Sequence, residues 1–370
     1  MKNSIGTNVI LTLFGESHGP AIGAVLDGLA AGIPVDEAFI ASQLAKRRPQ
    51  GPVDTARREK DPFQILSGVK DGFTTGSPVC IVIPNEDTRS ADYEATKGLA
   101  RPSHADYVAQ VKYGGFQDYR GGGYFSGRVT AAIVAAGAIA LKALAAKGIR
   151  IGTHILECGG VRDTDLNALA TPDGLALLDS YVDALGEKNF PVVEDIEEAV
   201  TAKILEAKED CDSLGGIIQT AVTGLEPGLG EPWFDSLEGV LSKALFAIGG
   251  IKGVEFGAGF GFASMKGSQA NDSFCIEDGK VLTRTNNNGG INGGISNGMP
   301  VVFNCAVKPT PSIAKEQKTV NFLEGQDRPL CLKGRHDPAI VRRICIVVTS
   351  LVAIVLCDVL ATSKGTDYLK

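Results

Sequence analysis

Three of the four histidines stand in turn-rich segments beside serine, arginine or aspartate: His18 in Gly15-Glu16-Ser17-His18-Gly19, His104 in Arg101-Pro102-Ser103-His104-Ala105-Asp106-Tyr107, and His336 in Gly334-Arg335-His336-Asp337-Pro338. A loop histidine with such neighbours takes or gives a proton near neutral pH, which a core histidine usually does not. Taken singly, a loop histidine is more often structural. His154, between apolar residues in RIGTHILE, fits that structural role best. Arginine accompanies the histidines: Lys46-Arg47-Arg48, Arg57-Arg58, Arg101, Arg120, Arg128 and Arg335 fall in loops of a chain whose net charge is −7. Dispersed, these residues form a solvated face. Converging, they bind a small polyanion bearing several carboxylates or phosphates.

Two glycine-bearing loops precede the two longest apolar stretches: Asp118-Tyr119-Arg120-Gly121-Gly122-Gly123-Tyr124-Phe125-Ser126-Gly127-Arg128, and Lys333-Gly334-Arg335-His336-Asp337-Pro338. A loop of this kind opening a helix exposes unpaired N–H groups and the positive end of the dipole, and an adjacent arginine adds a bidentate fork for phosphate or carboxylate. One such loop reads equally well as a turn; two in equivalent places favour function. A third polar run, Asn286 to Gly298, leads into a strand ending in Lys308-Pro309-Thr310-Pro311-Ser312, and lines a cofactor pocket or forms a long hairpin loop.

The elements that must position these residues follow from periodicity. Strands are expected at 8–14, 21–27, 62–69 and 77–84, and a helix at 36–48 that ends in the basic cluster. Residues 85–127 form a stretch too long and too rich in Arg, His, Asp and Tyr for a connecting loop. An Ala-rich helix at 129–147 can only be buried. The order then repeats: strand 215–224, helix 233–248, strands 253–260 and 299–307, and a long buried helix at 338–361. The echoes VLDGLAAGI against VTGLEPGLG, and GSPV against GMPV, point to an old duplication, with halves at about 1–149 and 213–362 and a helical insertion at about 150–212. One α/β body of 370 residues is expected, each half offering one long buried helix.

Composition excludes several classes. With pI near 5.3 no nucleic-acid footprint is present. The eight cysteines are dispersed without a CxxC, and the N-terminus lacks a basic signal region, so reduced thiols in a cytoplasm are expected. The run Ile344 to Ala361 is interrupted by Asp358 short of the ~18 apolar residues a membrane span needs, and reads as a core helix. Gly15 to Gly19 matches the G-x-S-x-G nucleophile elbow, but only 14 residues precede it and a strand pattern follows it. No P-loop or full G-x-G-x-x-G is present, and no metal-ligand cadence, so no metal is expected. The residues themselves describe an enzyme that binds a small polyanion with loop histidines for proton transfer; a non-enzymatic anion-binding module remains the alternative.

The strings GESHGPAIG, KRRP, RPSHADY, DYRGGGYFSGR, GGISNG, KPTPSI and GRHDP, in this order, resemble chorismate synthase from end to end. The resemblance implies loss of phosphate and a ring hydrogen from 5-enolpyruvylshikimate 3-phosphate by anti-1,4 elimination, giving chorismate, with reduced FMN required although no net redox change occurs. It places Arg48, Arg128 and Arg335 on the anionic groups with Ser126 nearby. It makes His18 the acid near the departing phosphate with Ser17 as its relay, His104 the group that protonates the reduced flavin, and Asp337 the residue assisting ring-proton transfer. FMN contacts map to Tyr124, Phe125, Ser126, Gly249, Gly250, Gly293, Lys308, Pro309, Thr310, Pro311, Ser312 and Arg335. NADPH enters only if flavin reduction is intrinsic, with contacts at Arg48 and Asp54; an external flavin reductase is otherwise the expected partner, with neither nucleic acid nor membrane involved. The implied fold is α+β, a β-α-β sandwich of long central helices between antiparallel sheets with internal pseudo-two-fold duplication, one catalytic domain assembled as a homotetramer. Three departures from the family pattern stand out: Tyr124 where many relatives carry His or Arg, Gly249-Gly250 in place of a bulkier pair ending in Ala, and a short Pro49 to Thr55 loop with Asp54 in place of a basic residue.

Overall fold

Apolar residues alternate along Val79–Pro84, where Val79, Ile81 and Ile83 are buried and the residues between them half-buried, the period-two pattern of a strand covered on one face. Strands of this kind build the first of two sheets in the computed structural model, which describes residues 2–55, 60–86, 97–332 and 336–370. Arg57, Arg58 and Arg335 lie outside the described residues. The first half runs β1 (Ser4–Ile5), β2 (Ile10–Gly15), β3 (Ala21–Asp27), α1 (Glu37–Arg47), β4 (Gln64–Ser67), the short pair β5 (Val69–Lys70) and β6 (Phe73–Thr74), β7 (Val79–Pro84), α2 (Asp106–Tyr113) and α3 (Thr130–Ala145). The second runs β8 (Arg150–Cys158), β9 (Val161–Arg162), α4 (Leu175–Glu187), α5 (Glu197–Glu209), β10 (Gly216–Thr223), α6 (Leu237–Leu245), β11 (Ile251–Phe256) and α7 (Gly267–Ala270). Two hairpins follow, β12 (Phe274–Glu277) with β13 (Lys280–Thr283) and β14 (Ile291–Asn292) with β15 (Ile295–Ser296). Then come β16 (Val301–Val307), the pair β17 (Gln317–Asn321) and β18 (Gln326–Leu330), and α8 (Val341–Lys364).

The sheets are antiparallel, ordered β1-β2-β3-β7-β4 and β11-β16-β10-β8-β9. Helix α3 packs on α8 between them, α3 touching β3 and β7 and α8 touching β8 and β10. This is the expected α+β sandwich. The four strands β2-β3-β7-β4 and β8-β10-β16-β11 correspond in chain order and in neighbourhood, and each set is followed by a long central helix.

Three expectations change. Residues 150–158, expected within a helical insertion, are a strand of the second sheet, and the helices α4 and α5 lie between β9 and β10. Helix α4 covers one part of β8 and α8 another, so Ile151 through Leu156 are all buried and the strand shows no alternation. Strand β11 ends at Phe256, short of the expected 260, because Gly257 at φ 54° and Gly259 at φ 52° turn the chain. Helix α6 begins at Leu237, capped by Ser236 Oγ, which accepts the Gly239 N–H at 3.0 Å.

Burial accounts for the composition of the central helices. Gly127–Ala145 and Val341–Lys364 are each long and apolar enough to cross a membrane, and most of each is buried inside the protein. The eight cysteines are unpaired; burial pushes the Cys158 thiol up to about 11 and those of Cys305 and Cys357 to about 12, so these core thiols stay protonated. His154 is structural as expected: it is fully buried, with Nδ1 3.0 Å from Asp163 Oδ2 and Nε2 3.2 Å from Gln219 Oε1.

Candidate active site

A cavity of about 850 Å³ opens where the loop before α3, the start of α8 and the segment after β16 meet. His104, Tyr124, Phe125, Ser126 and Arg128 line one side, Lys308 through Ser312 and Gly249-Gly250 another, with His336 and Asp337 beside them. Its floor is apolar, from Leu11, Leu13, Ile133, Ile344, Val347 and Leu351. Charged rim and apolar floor together suit a ligand with a flat ring system and an anionic end.

The triple glycine joins the two expected acid–base residues. Gly121, Gly122 and Gly123 have φ of 59°, 86° and 52°, a run of left-handed backbone that side chains rarely tolerate. This fold of the chain lays Gly121 against the His18 ring and Gly122 against His104, whose Cε1 would lie 3.1 Å from a Cβ at position 122. Ser17 Oγ stands 3.0 Å from His18 Nδ1 and donates to the Arg120 carbonyl at 3.2 Å, and Ser17 N–H donates to Gly123 O at 3.2 Å. His18 and Ser17 thus sit behind Gly121, against the wall of the cavity. Arg120 is paired with its neighbour Asp118 at 2.9 Å.

Arg48 and Arg128 come together at one buried carboxylate, which no local sequence pattern marks. Asp61, its side chain fully buried, lies 3.7 Å from both Arg47 and Arg48 and bonds Arg128 Nη1. Three guanidinium groups surround one carboxylate, and Arg128 is further fixed by donating to Asn85 Oδ1 at 3.0 Å and Pro84 O at 3.2 Å. Among the described residues, the buried Nε of Arg48 makes no hydrogen bond. Helix α1 ends in this cluster. Its last carbonyls are capped by the start of α8: Arg342 donates to Lys46 O at 3.0 Å and to Arg48 O at 2.7 Å, and Arg343 Nε donates to Arg47 O at 2.8 Å.

Asp337 is held by both oxygens, accepting the Thr55 N–H at 2.9 Å and Arg343 Nη1 at 2.6 Å. Across the cavity, Lys308 Nζ donates to Ser103 O at 2.6 Å, tying the 308–312 segment to the residue before His104. Ser103 has φ 60°, backbone strain of the kind stored at functional sites. Burial and nearby Lys252 lower the pKa of Lys308. Burial chiefly raises that of Tyr124, with Tyr113 and Glu16 adding to it. A Cβ at Gly249 would meet open space, while Gly250 at φ 103° explains the missing Ala there by its left-handed backbone. Ser126 Oγ accepts the Arg128 N–H at 3.3 Å, capping the turn into α3.

Ser17, His18 and Arg48 stand beside the cavity without lining it, and two further expected contacts are elsewhere. Gly293 is in the β14–β15 turn and does not line the cavity. Its polar run is a hairpin packed on the entry to α6, Gly294 O accepting the Leu237 N–H at 2.8 Å. Asp54 is 2% exposed and spent on structure, bonding Arg342 and accepting the Gln50 N–H at 2.6 Å. Burial raises its pKa, against the pull of Arg342. A nicotinamide group meets no open carboxylate there. Asp61 and Arg343 carried no local signal, whereas Asp106 stood two residues from His104 in a loop, a spacing that places a carboxylate within reach of an imidazole.

A family model described as chorismate synthase matches residues 9–361. A chorismate synthase from Methanocella arvoryzae is 45% identical over 359 residues, 96% of this chain and 93% of that protein. Another, from Dehalococcoides mccartyi strain BAV1, is 44% identical over 364 residues, 97% of this chain and 96% of that one. A crystal structure of chorismate synthase superposes with a TM-score of 0.77 at 30% identity, covering 99% of this chain and 96% of that chain. The chain belongs to the chorismate synthase family, lyases of aromatic amino-acid biosynthesis.

Proposed function

We propose that the chain eliminates phosphate from 5-enolpyruvylshikimate 3-phosphate in the anti-1,4 sense, giving chorismate, with reduced FMN bound beside the substrate. The observation that carries this reading is the convergence of His18 and His104 on one triple glycine beside arginines that gather at Asp61. The residues present fit a flavin. The apolar floor suits a ring system, the open space at Gly249 leaves room for it, and the buried Thr310 Oγ1, without a hydrogen-bond partner among the described residues, is placed for a polar group of the cofactor. Reduced FMN, when bound, supplies electron density that helps expel phosphate and recovers it as hydrogen leaves the ring.

The chain's own residues do the rest. Arg48 and Arg128, gathered at Asp61, hold the phosphate and carboxylates. His18, its Nδ1 fixed by Ser17, presents a proton to the departing phosphate. His104 supplies the proton that keeps the flavin site neutral, and Asp337, held by Thr55 and Arg343, guides removal of the ring proton. The remaining expectations belong to the same reading: a cytoplasmic homotetramer supplied by an external flavin reductase, with NADPH entering only through intrinsic flavin reduction. An anaerobic assay with this substrate and chemically reduced FMN tests it. Equal release of phosphate and chorismate, absent with oxidised FMN, is expected; a folded, flavin-binding protein that releases neither is an anion-binding module.

A further inference from the structure

Asp106 is the first residue of α2, and its carboxylate is the hub of a three-residue constellation. Oδ1 lies 2.8 Å from His104 Nδ1 and accepts from Arg101 Nη2 at 2.6 Å; Oδ2 accepts Arg101 Nε at 2.8 Å and Arg101 N–H at 3.0 Å. Arg101 Nη2 also lies 3.1 Å from His104 Nδ1 but donates to Oδ1 at the shorter 2.6 Å; an ionised carboxylate only accepts, so the proton between Asp106 and His104 belongs to Nδ1. Nε2 is then the ring nitrogen that exchanges protons; it stands 3.3 Å from where a Cβ at Gly122 would be, and His104 lines the cavity.

We infer that Asp106 is a positioning residue for the reaction: through Nδ1 it fixes the tautomer and the ring plane of His104, while Arg101 fixes Asp106. The inference rests on the proton-transfer role proposed for His104. Three features support it. Burial pushes the Asp106 carboxyl up, but hydrogen bonds from Arg101 and His104 outweigh this and hold it well below the usual carboxylate range, so it remains an acceptor at working pH. The N-terminus of α2 adds to the same effect. Lys308 anchors the carbonyl of strained Ser103, so the loop approaches α2 from a set direction.

The test is nitrogen-15 NMR of the histidine ring in the intact protein, together with turnover on reduced FMN and 5-enolpyruvylshikimate 3-phosphate. In the wild type, neutral His104 should carry its proton on Nδ1; a neutral ring protonated on Nε2 overturns the inference without any variant. Asp106→Asn should give a mixture of tautomers and lower kcat about 10- to 100-fold with KM within about threefold, and Asp106→Glu should recover part of the loss. Unchanged His104 resonances in a folded Asp106→Asn protein overturn the inference. If the tautomer changes while kcat stays at the wild-type value, Asp106 orients His104 but the proton-transfer role of His104 falls instead.

Discussion

Gly121 lies flat against the ring of His18: a Cβ there would overlap the imidazole and stand 2.9 Å from Ser17 Oγ. With φ at 59°, the backbone also disfavours any side chain. Gly121→Ala should therefore push His18 out of line and lower kcat at least about 100-fold, a loss comparable with that of His18→Ala, since a shift of ~1 Å at a reacting group costs about that much. The melting temperature should fall by only a few degrees. Turnover near the wild-type value would show that the position of His18 is not used.

Asp61 sets the arginine cluster, and removing it separates its structural role from that of an anion. Asp61→Ala removes the buried carboxylate that Arg47, Arg48 and Arg128 approach together, with a stability loss of ~3–5 kcal/mol expected for a broken buried pair. Inorganic phosphate should then restore part of the stability, because an anion bound only to the folded state stabilises it by mass action. The measurement is the phosphate-dependent melting shift of the two proteins. An equal shift in both would mean that the vacated position does not take anions.

Much of this arrangement was legible before the structure, and the omissions have physical causes. The central helices announced themselves because α3 and α8 are apolar all round, a composition only burial permits. Loop histidines and arginines could be singled out because their side chains suit proton transfer near neutral pH and the binding of anions. Strand β8 was missed because it is covered on both faces and loses the alternation that marks a strand. Asp61 was missed because its partners arrive from α1 and from the turn before α3, a relation no local pattern encodes. The Asn- and Gly-rich run before β16 read either as a cofactor loop or as a hairpin because polar turns and ligand loops share a composition; its backbone forms the β14–β15 hairpin.

The Asp163–His154 pair predicts a pH dependence of stability without one of activity. Burial pushes the Asp163 carboxyl up, but His154 and the N–H groups of Val193, Glu194 and Thr164 outweigh this and hold it below the ordinary value. A depressed carboxyl contributes stability above its unfolded pKa of ~3.9 and loses it as pH falls through the folded value. Asp163→Asn should be destabilised by ~1.5–3 kcal/mol between about pH 5.5 and 8, with the gap to wild type closing below about pH 4. Denaturant midpoints across this range check it, and kcat should not change. A gap that widens on acidification would reverse the sign assigned to Asp163.

The crossing of the central helices gives a substitution whose sign depends on place. Gly137 lies within α3, and a Cβ there would sit 2.6 Å from Ser350 O and 2.7 Å from Ser350 Cα on α8. Helix propensity favours alanine by ~1 kcal/mol. Contact with backbone cannot be relieved by rotating a side chain, so the helices must separate, and overpacking of this kind costs ~1–3 kcal/mol or more. The clash wins, and Gly137→Ala should be destabilised. Gly186 near the end of α4 has open space where its Cβ would stand, and Gly186→Ala should be stabilised by ~0.4–1 kcal/mol. Denaturant midpoints of the two variants should therefore move in opposite directions. If both rose, propensity would outweigh packing at the α3–α8 crossing, and the close approach at Ser350 would not be what requires glycine there.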